Sequence, residues 1–147
     1  MVMVATSEYY TQVNPAPLAK LTGSHSYTTT VISSFIGSGS AGDISSLLAG
    51  MQVDFESGII SQGSLDILVN DQSWAFELDG SVRHGIVDLN AVNGQLFDNS
   101  GLISNSIDAN LGGVFTGDTG SAFFGGFDLI DEMNSFNTVN GLYTIER

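Results

Sequence analysis

The sequence predicts an all-β fold: a single antiparallel up-and-down β-barrel of about eight strands, with a β-sandwich as the alternative way to hide the same edges. Three observations point there. From Met51 to Val82 apolar and polar residues alternate almost without a break, and successive side chains on a strand face opposite ways. Glycine is abundant at 18 residues and proline rare at 2, a balance suited to short strands and tight turns. No stretch carries a convincing helical period.

Taken in order, residues 1–22 read as an N-terminal arm or linker and residues 23–147 as the barrel. Pro15 and Pro17 forbid a helix or central strand around Ala16, although Ala16 to Lys20 suits one short helical turn. Tyr9 and Tyr10 are placed to pack over a barrel end. Ser24 to Ile36 is rich in Thr, Val, Ile and Phe, with Tyr27, Thr29, Val31 and Phe35 on one face. The GSGSAGD run, Gly37 to Asp43, reads as a flexible loop. Ile44 to Phe55 is a strand with Leu47, Ala49, Met51, Val53 and Phe55 inward and a bend at Gly50. Gly58 turns the chain. Ile59, Leu65, Ile67 and Val69 then share a side, with Gln62, Ser64 and Asp66 opposite. Asn70-Asp71 turns it again, and Trp74, Phe76, Leu78 and Val82 face inward.

Further on, Gly85 to Ala91 is a weaker strand with Val87 and Leu89 inward. Asn93-Gly94 carries the strongest short hairpin signal, with Gln95 to Asp98 as the returning strand. After a turn at Asn99-Ser100-Gly101, Leu102 to Phe115 alternates as one strand, through Ile103, Ile107, Ala109, Leu111 and Gly113. Thr116 to Gly120 turns. Ser121 to Ile130 places Phe123, Phe127 and Leu129 on one face, and Gly125-Gly126 in its middle predicts a bulge or a close backbone approach. Asp131 to Thr138 is a polar loop, and Val139 to Glu146 closes the meander with Tyr143 and Ile145 inward. The large inward set (Trp74, Phe76, Phe55, Phe115, Phe127) suffices to fill an interior of this size, leaving no large cavity.

Charge excludes several functions. The formal net charge is −13, from 16 acidic residues against Lys20, Arg83 and Arg147. Nucleic acid is not a partner for such a chain, because phosphate must be neutralised by Lys and Arg; an anionic membrane surface is disfavoured for the same reason. Acidity of this kind keeps a β-rich surface soluble. With no Cys there is no disulfide, thiolate metal site or thiol nucleophile. No apolar run reaches the roughly 18 residues of a transmembrane helix. No signal peptide is visible at Met1 to Ala5, and the N-terminus reads as a cut edge, so the expectation is a domain of a longer exported protein.

Residues able to carry chemistry are few. His25 and His84, each near a strand end, are the candidates for haem or metal ligation; the structural reading is a solvated surface imidazole. Asp88, Asp98, Asp108, Asp118 and Asp128 recur at intervals of ten. A strand plus its turn has that length, so the series proposes carboxylates stacked on one rim and calcium as their ligand; aspartate also simply favours turns. No EF-hand, nonapeptide calcium repeat, G-x-S-x-G elbow or phosphate loop with its Lys is present. Glu56, Glu77 and Glu132 fall on solvent faces or in turns, so no carboxylate sits where burial would raise its pKa for general acid work.

Val53-Asp54-Phe55, the following Gly turn and Trp74 in a later strand resemble the "VDF…G…W" run of transferrin-binding-protein-B-like β-barrel domains. Gly113-Val114-Phe115-Thr116-Gly117 followed by Ala122-Phe123-Phe124-Gly125-Gly126-Phe127 resembles their closing "G-x-F-x-G…A…GG-x-F" signature. The resemblance spans residues 24–147. It implies a small antiparallel barrel exported to the surface of a Gram-negative bacterium, as in surface lipoproteins and exported proteins with FecR-type domains. It also implies binding of a host protein or haem, or a scaffold role. The chain lacks a lipobox Cys and the receptors' second, handle-like domain. The family's binding surfaces lie in variable loops, so no functional residue carries over.

These readings converge on a non-enzymatic extracellular or outer-membrane-surface module that binds another protein or self-associates through loops and edges. A carrier of haem or a small hydrophobic ligand is the first alternative. A structural subunit of an extracellular assembly is the second.

Overall fold

Alternation becomes extended backbone almost throughout: 69% of the chain is strand and 2% helix. The structure, a computed structural model, describes residues 1–29 and 34–147. Its strands are β1 (Val2–Ala5), β2 (Tyr10–Val13), β3 (Ser24–Thr28), β4 (Phe35–Gly39), β5 (Gly42–Asp43), β6 (Ser46–Asp54) and β7 (Ile59–Val69). They continue as β8 (Gln72–Arg83), β9 (Ile86–Asp98), β10 (Gly101–Ser104), β11 (Ile107–Thr116), β12 (Ala122–Asp131) and β13 (Thr138–Glu146). One 3-10 turn, Leu18–Lys20, follows Pro17. Val31, expected inward, lies outside the described residues.

The main sheet runs β10-β9-β8-β7-β6-β3-β13-β12-β11, with β4 on β13 and β5 on β4; every pairing is antiparallel. The meander from β6 to β10 and the hairpins from β11 to β13 are as the alternation implied. The expected closed barrel is not: among the described residues no ladder joins β9 or β10 to β11. β10 pairs with β9 at Leu96, Phe97 and Asp98 and covers that end of its edge. The result is the open, sandwich-like form that stood as the alternative.

Several local expectations are corrected for identifiable reasons. Ile59 is 56% exposed and Ile60 is buried, the reverse of the strict alternation. Gln62 adopts φ +51°, and β7 gains a residue against its neighbours between Ile60 and Gly63, which flips the faces. Asn93-Gly94 is not a hairpin. Asn93 has φ +56°, and the register passes from Glu77–Val92 to Ala75–Gln95, so the pair is a bulge within one long strand, β9. Asn tolerates the left-handed region equally in a turn or a bulge; the long partner β8 decides between them. Leu102 to Phe115 is two strands. Ser104 Oγ takes the Ser106 N–H at 3.2 Å, and this side-chain turn ends β10. The GSGSAGD run is a hairpin of β4 and β5. A Cβ at Gly39 would lie 2.1 Å from the Thr138 carbonyl, so glycine is what lets β4 lie so close to β13.

The core lies between the β6–β10 wall and the β11–β13 wall. Leu65, Trp74, Phe123 and Phe127 are fully buried there. Phe115 stacks with Phe55 at 4.9 Å edge-on, Phe123 at 5.0 Å and Tyr27 at 5.3 Å between ring centres. Each such burial stabilises the fold by about 1.5–3 kcal/mol. Of the two readings of Gly125-Gly126, the close approach holds: both ladders of β12 run without a break, and a Cβ at Gly125 would sit 2.4 Å from Tyr143 Cζ.

Residues 1–13 form a second layer, while Ala16 and Leu21 join the main core. The β1–β2 hairpin lies on the outer face of β11–β13, where Val4 buries with Val114 and Leu142 and packs with Tyr9, Val13 and Phe124. Tyr9 Oη is 2.7 Å from Ser38 Oγ, whereas Tyr10 is exposed.

Candidate functional site

In an antiparallel pair, residues alternate between those bonded to the partner strand and those whose N–H and C=O point away. Phe115 is of the second kind, since its carbonyl accepts the Ala16 N–H at 2.8 Å from outside the β11–β12 pair. Stepping back by two, Gly113, Leu111 and Ala109 also turn their peptide groups toward the free edge of β11. Among the described residues a strand-like bridge reaches that edge at its end. Pro15 bridges Thr116, and Thr116 Oγ1 donates to the Asn14 carbonyl at 2.7 Å. Pro17 then directs the chain into the 3-10 turn and away from the strand.

Across from this edge runs β9. A Cβ at Gly94 would meet Ile107 Cβ at 3.1 Å. At the other end Gly85–Val87 face Asn110–Val114 across a cleft of about 340 Å³ that is also lined by Val2–Ala5, Gly126 and Asp128. The two strands therefore lie alongside in opposite directions with an unpaired seam between them. A smaller cleft of about 290 Å³ continues it past Leu18, Leu21 and His84. Ile86 at its mouth is 74% exposed and Met3 59% exposed. Inside, Val87, Ala109 and Leu111 lean on the core; outside, Asp88, Asp108 and Asn110 face water.

No family model, curated protein or solved structure matches this chain.

The sequence-derived candidates are dispersed. His25 is half-buried, with Nε2 2.9 Å from the Thr22 carbonyl and its ring 6.3 Å from that of Phe55. His84 is exposed at the β8–β9 turn with φ +52°. The aspartates do not form one rim. Asp88 and Asp98 lie toward opposite ends of β9, roughly 33 Å apart at the usual strand rise. Asp108 opens β11 and Asp118 follows its end. The ten-residue spacing fails as a single ladder because β9 is 13 residues long and carries two of the five, Asp88 and Asp98, at its two ends. Among the described residues no three His, Asp or Glu side chains converge as metal ligands.

Two of the five have specific local roles. Asp98 accepts from Ser100 N–H at 2.8 Å and Oγ at 2.5 Å, and these bonds hold its carboxyl below the usual carboxylate range. Asp128 accepts from Ser7 N–H and Oγ, while its cross-strand neighbour Asn140 accepts from Thr6 Oγ1 at 2.7 Å and Glu8 N–H at 3.2 Å. Together they latch the N-terminal hairpin to β12 and β13. Sequence reasoning missed this latch, because its partners are 121 to 134 positions apart and no local spacing announces them.

It also missed Asp131, a buried carboxylate in the predicted loop. Burial opposes its charge, but bonds from the Ser104 hydroxyl, Asn137 Nδ2 and the Met133 and Asn134 amides outweigh that and hold it below the usual 3.8. It organises residues 131–138. Among the described residues no helix is long and apolar enough to cross a membrane.

Proposed function

We propose that this chain is a non-enzymatic interaction module of the Gram-negative cell surface or exterior, engaging a protein partner through its open strand edges. The observation that carries the reading is the outer edge of β11, which among the described residues enters no second ladder and lies beside an apolar-mouthed cleft. Exposed edges are templates for pairing with another chain. The transferrin-binding-protein-B-like motifs support the surface setting. Glycines and aromatics carry those motifs, and here Gly113, Phe115, Phe123 and Gly125 are the positions that build the β11–β13 wall. The carrier alternative is less favoured, because Trp74, Leu96, Phe123 and Phe127 fill the interior a cargo would need.

The test combines surface fractionation of the native host with light scattering of the purified chain. Expected is recovery in the outer-membrane or secreted fraction, with a stable complex formed either with a protein from that fraction or with further copies. A cytoplasmic, monomeric chain that retains no protein overturns the reading.

A further inference from the structure

We propose that this chain assembles head to tail with further copies of itself. The apolar tip of the β12–β13 loop of one copy seats in the cleft beside Gly85 at the far end of the next. The inference goes beyond the strand-edge reading, since it uses the two ends of the molecule and no free strand.

One end is built by the turns at residues 40–43, 70–72, 98–101, 104–107 and 131–138. Asn70 Nδ2 donates to the Ala41 carbonyl, Gln72 Nε2 to Asn137 Oδ1 at 3.4 Å, and the Glu132 N–H to the Ser106 carbonyl at 2.9 Å. From this end the 131–138 loop presents Phe136 at 86% exposure and Met133 at 67%. The loop is internally bonded. Asp131 Oδ1 accepts the Met133 N–H at 2.9 Å, Asn134 Oδ1 the Phe136 N–H at 3.2 Å, and the Asn134 carbonyl the Asn137 N–H at 2.9 Å. Two large apolar side chains are thus held in water by backbone that is already ordered, so seating them elsewhere loses little further entropy.

β8 runs from this end at Gln72 to the opposite one at Arg83. There the turns at residues 18–24, 54–58, 83–86 and 116–121 gather. The Phe55 N–H donates to the Gly23 carbonyl and the Val82 N–H to the Gly58 carbonyl, both at 2.9 Å, and Arg147 Nη2 donates to the Thr119 carbonyl at 3.0 Å. The cleft of about 290 Å³ lies here, between residues 15–21 and residues 84–86. Ala16, Leu21, Val114 and Phe115 line it, and exposed Leu18 and Ile86 stand at its mouth.

Charge selects the partner. The first end carries Asp43, Asp71, Asp98, Asp131 and Glu132 and no basic residue. Lys20, Arg83 and Arg147, which are all the Lys and Arg of the chain, stand at the second end beside Asp54, Glu56, Asp118 and Glu146. The acidic end of one copy therefore meets cations on another copy only at the cleft end. The net −13 repels at long range, but beyond a Debye length of about 8 Å that repulsion is screened, and the facing ends decide. Because tip and cleft occupy opposite ends of one molecule, they cannot satisfy each other in a two-fold pair. The contact is heterologous and builds rows or rings.

Light scattering and sedimentation of the full chain over a concentration series test this. The wild-type mass is expected to rise with concentration and to pass beyond a dimer. Amide exchange should slow at residues 132–137 and 84–86 as it does so. Phe136→Ser removes the tip, and Ile86→Asp sets a carboxylate at the mouth of the cleft; both sites are exposed, so both variants should melt as the wild type does. Each alone should self-associate at least about tenfold more weakly. Mixed, the two should form a one-to-one dimer that grows no further, since one keeps a working cleft and the other a working tip. A wild-type chain that stays monomeric or stops at a dimer overturns the inference, as does assembly without protection of those amides. So do variants that associate like the wild type, or that melt normally and form no mixed dimer. A monomeric chain that captures a protein from the surface fraction overturns the assembly and leaves the module reading standing.

Discussion

Ser7 Oγ donates to Asp128 Oδ1 at 2.6 Å while the Ser7 backbone N–H reaches the same carboxylate at 3.1 and 3.2 Å. This contact fastens the tip of a hairpin that shares no ladder with the main sheet. A hairpin of two strands is barely stable alone, so the latch and the small Val4 cluster hold it. Asp128→Ala should raise amide exchange across Val2–Val13 severalfold and lower global stability by only about 1 kcal/mol, since the contact is exposed. Unchanged exchange in that segment would show that Val4, Val114 and Leu142 suffice.

The glycines of β11 and β12 make opposite predictions. Gly125→Ala places a methyl against the Tyr143 ring and should destabilise by about 1–3 kcal/mol in denaturant titration. Gly112→Ala meets open space at an ordinary strand φ, so it should be neutral or stabilising by about 0.5 kcal/mol. Equal effects at the two sites would refute the close-approach account.

Trp74 is fully buried, and its Nε1–H has no partner among the described residues. Trp74→Ala should cost about 3–5 kcal/mol through the cavity it opens. Trp74→Phe removes the unpaired donor together with part of the ring, so its cost should fall below about 2 kcal/mol. Thermal unfolding of both variants tests the difference.

Asp131 makes acid stability predictable in sign. Its carboxyl is held below 3.8, so its ionised form stabilises the fold above that pH. The contribution is lost as pH falls past 3.8 and on through the lowered value. Asp131→Asn should flatten this acid limb. At the alkaline end, burial pushes the Tyr143 hydroxyl well above 10.0, so stability should decline as pH rises past 10 and the unfolded chain ionises first. Tyr143→Phe should lessen that decline, the remainder coming from Tyr27, whose hydroxyl burial also pushes up. A melting-temperature profile between pH 2 and 11 reads both limbs, and unchanged slopes in the two variants would refute these assignments.

Period-2 alternation was enough to place β6, β7, β8 and the inward faces of Leu65, Trp74 and Phe127, because burial on one face is written into neighbouring residues. It misplaced Ile59, since a bulge at Gln62 changes phase through a backbone angle that a non-glycine residue does not advertise. It read Asn93-Gly94 as a turn, because the same tolerance of positive φ serves a turn and a bulge alike. The seam was not legible at all. Where β10 ends and β11 begins follows from one serine turn at Ser104–Ser106, which alternation does not announce. The latch was equally hidden, its chemistry being ordinary and its partners far apart in the chain.

β13 touches β12 along one side and receives β4 and β3 on the other, so among the described residues it is the strand whose ladders join the β6–β10 wall to the β11–β12 hairpin. During synthesis the early strands must therefore wait for residues 138–146 to emerge. Until then each portion exposes an apolar surface, and a nascent chain of this design would lean on a holding chaperone, in whatever compartment it matures, until its last strand slides in.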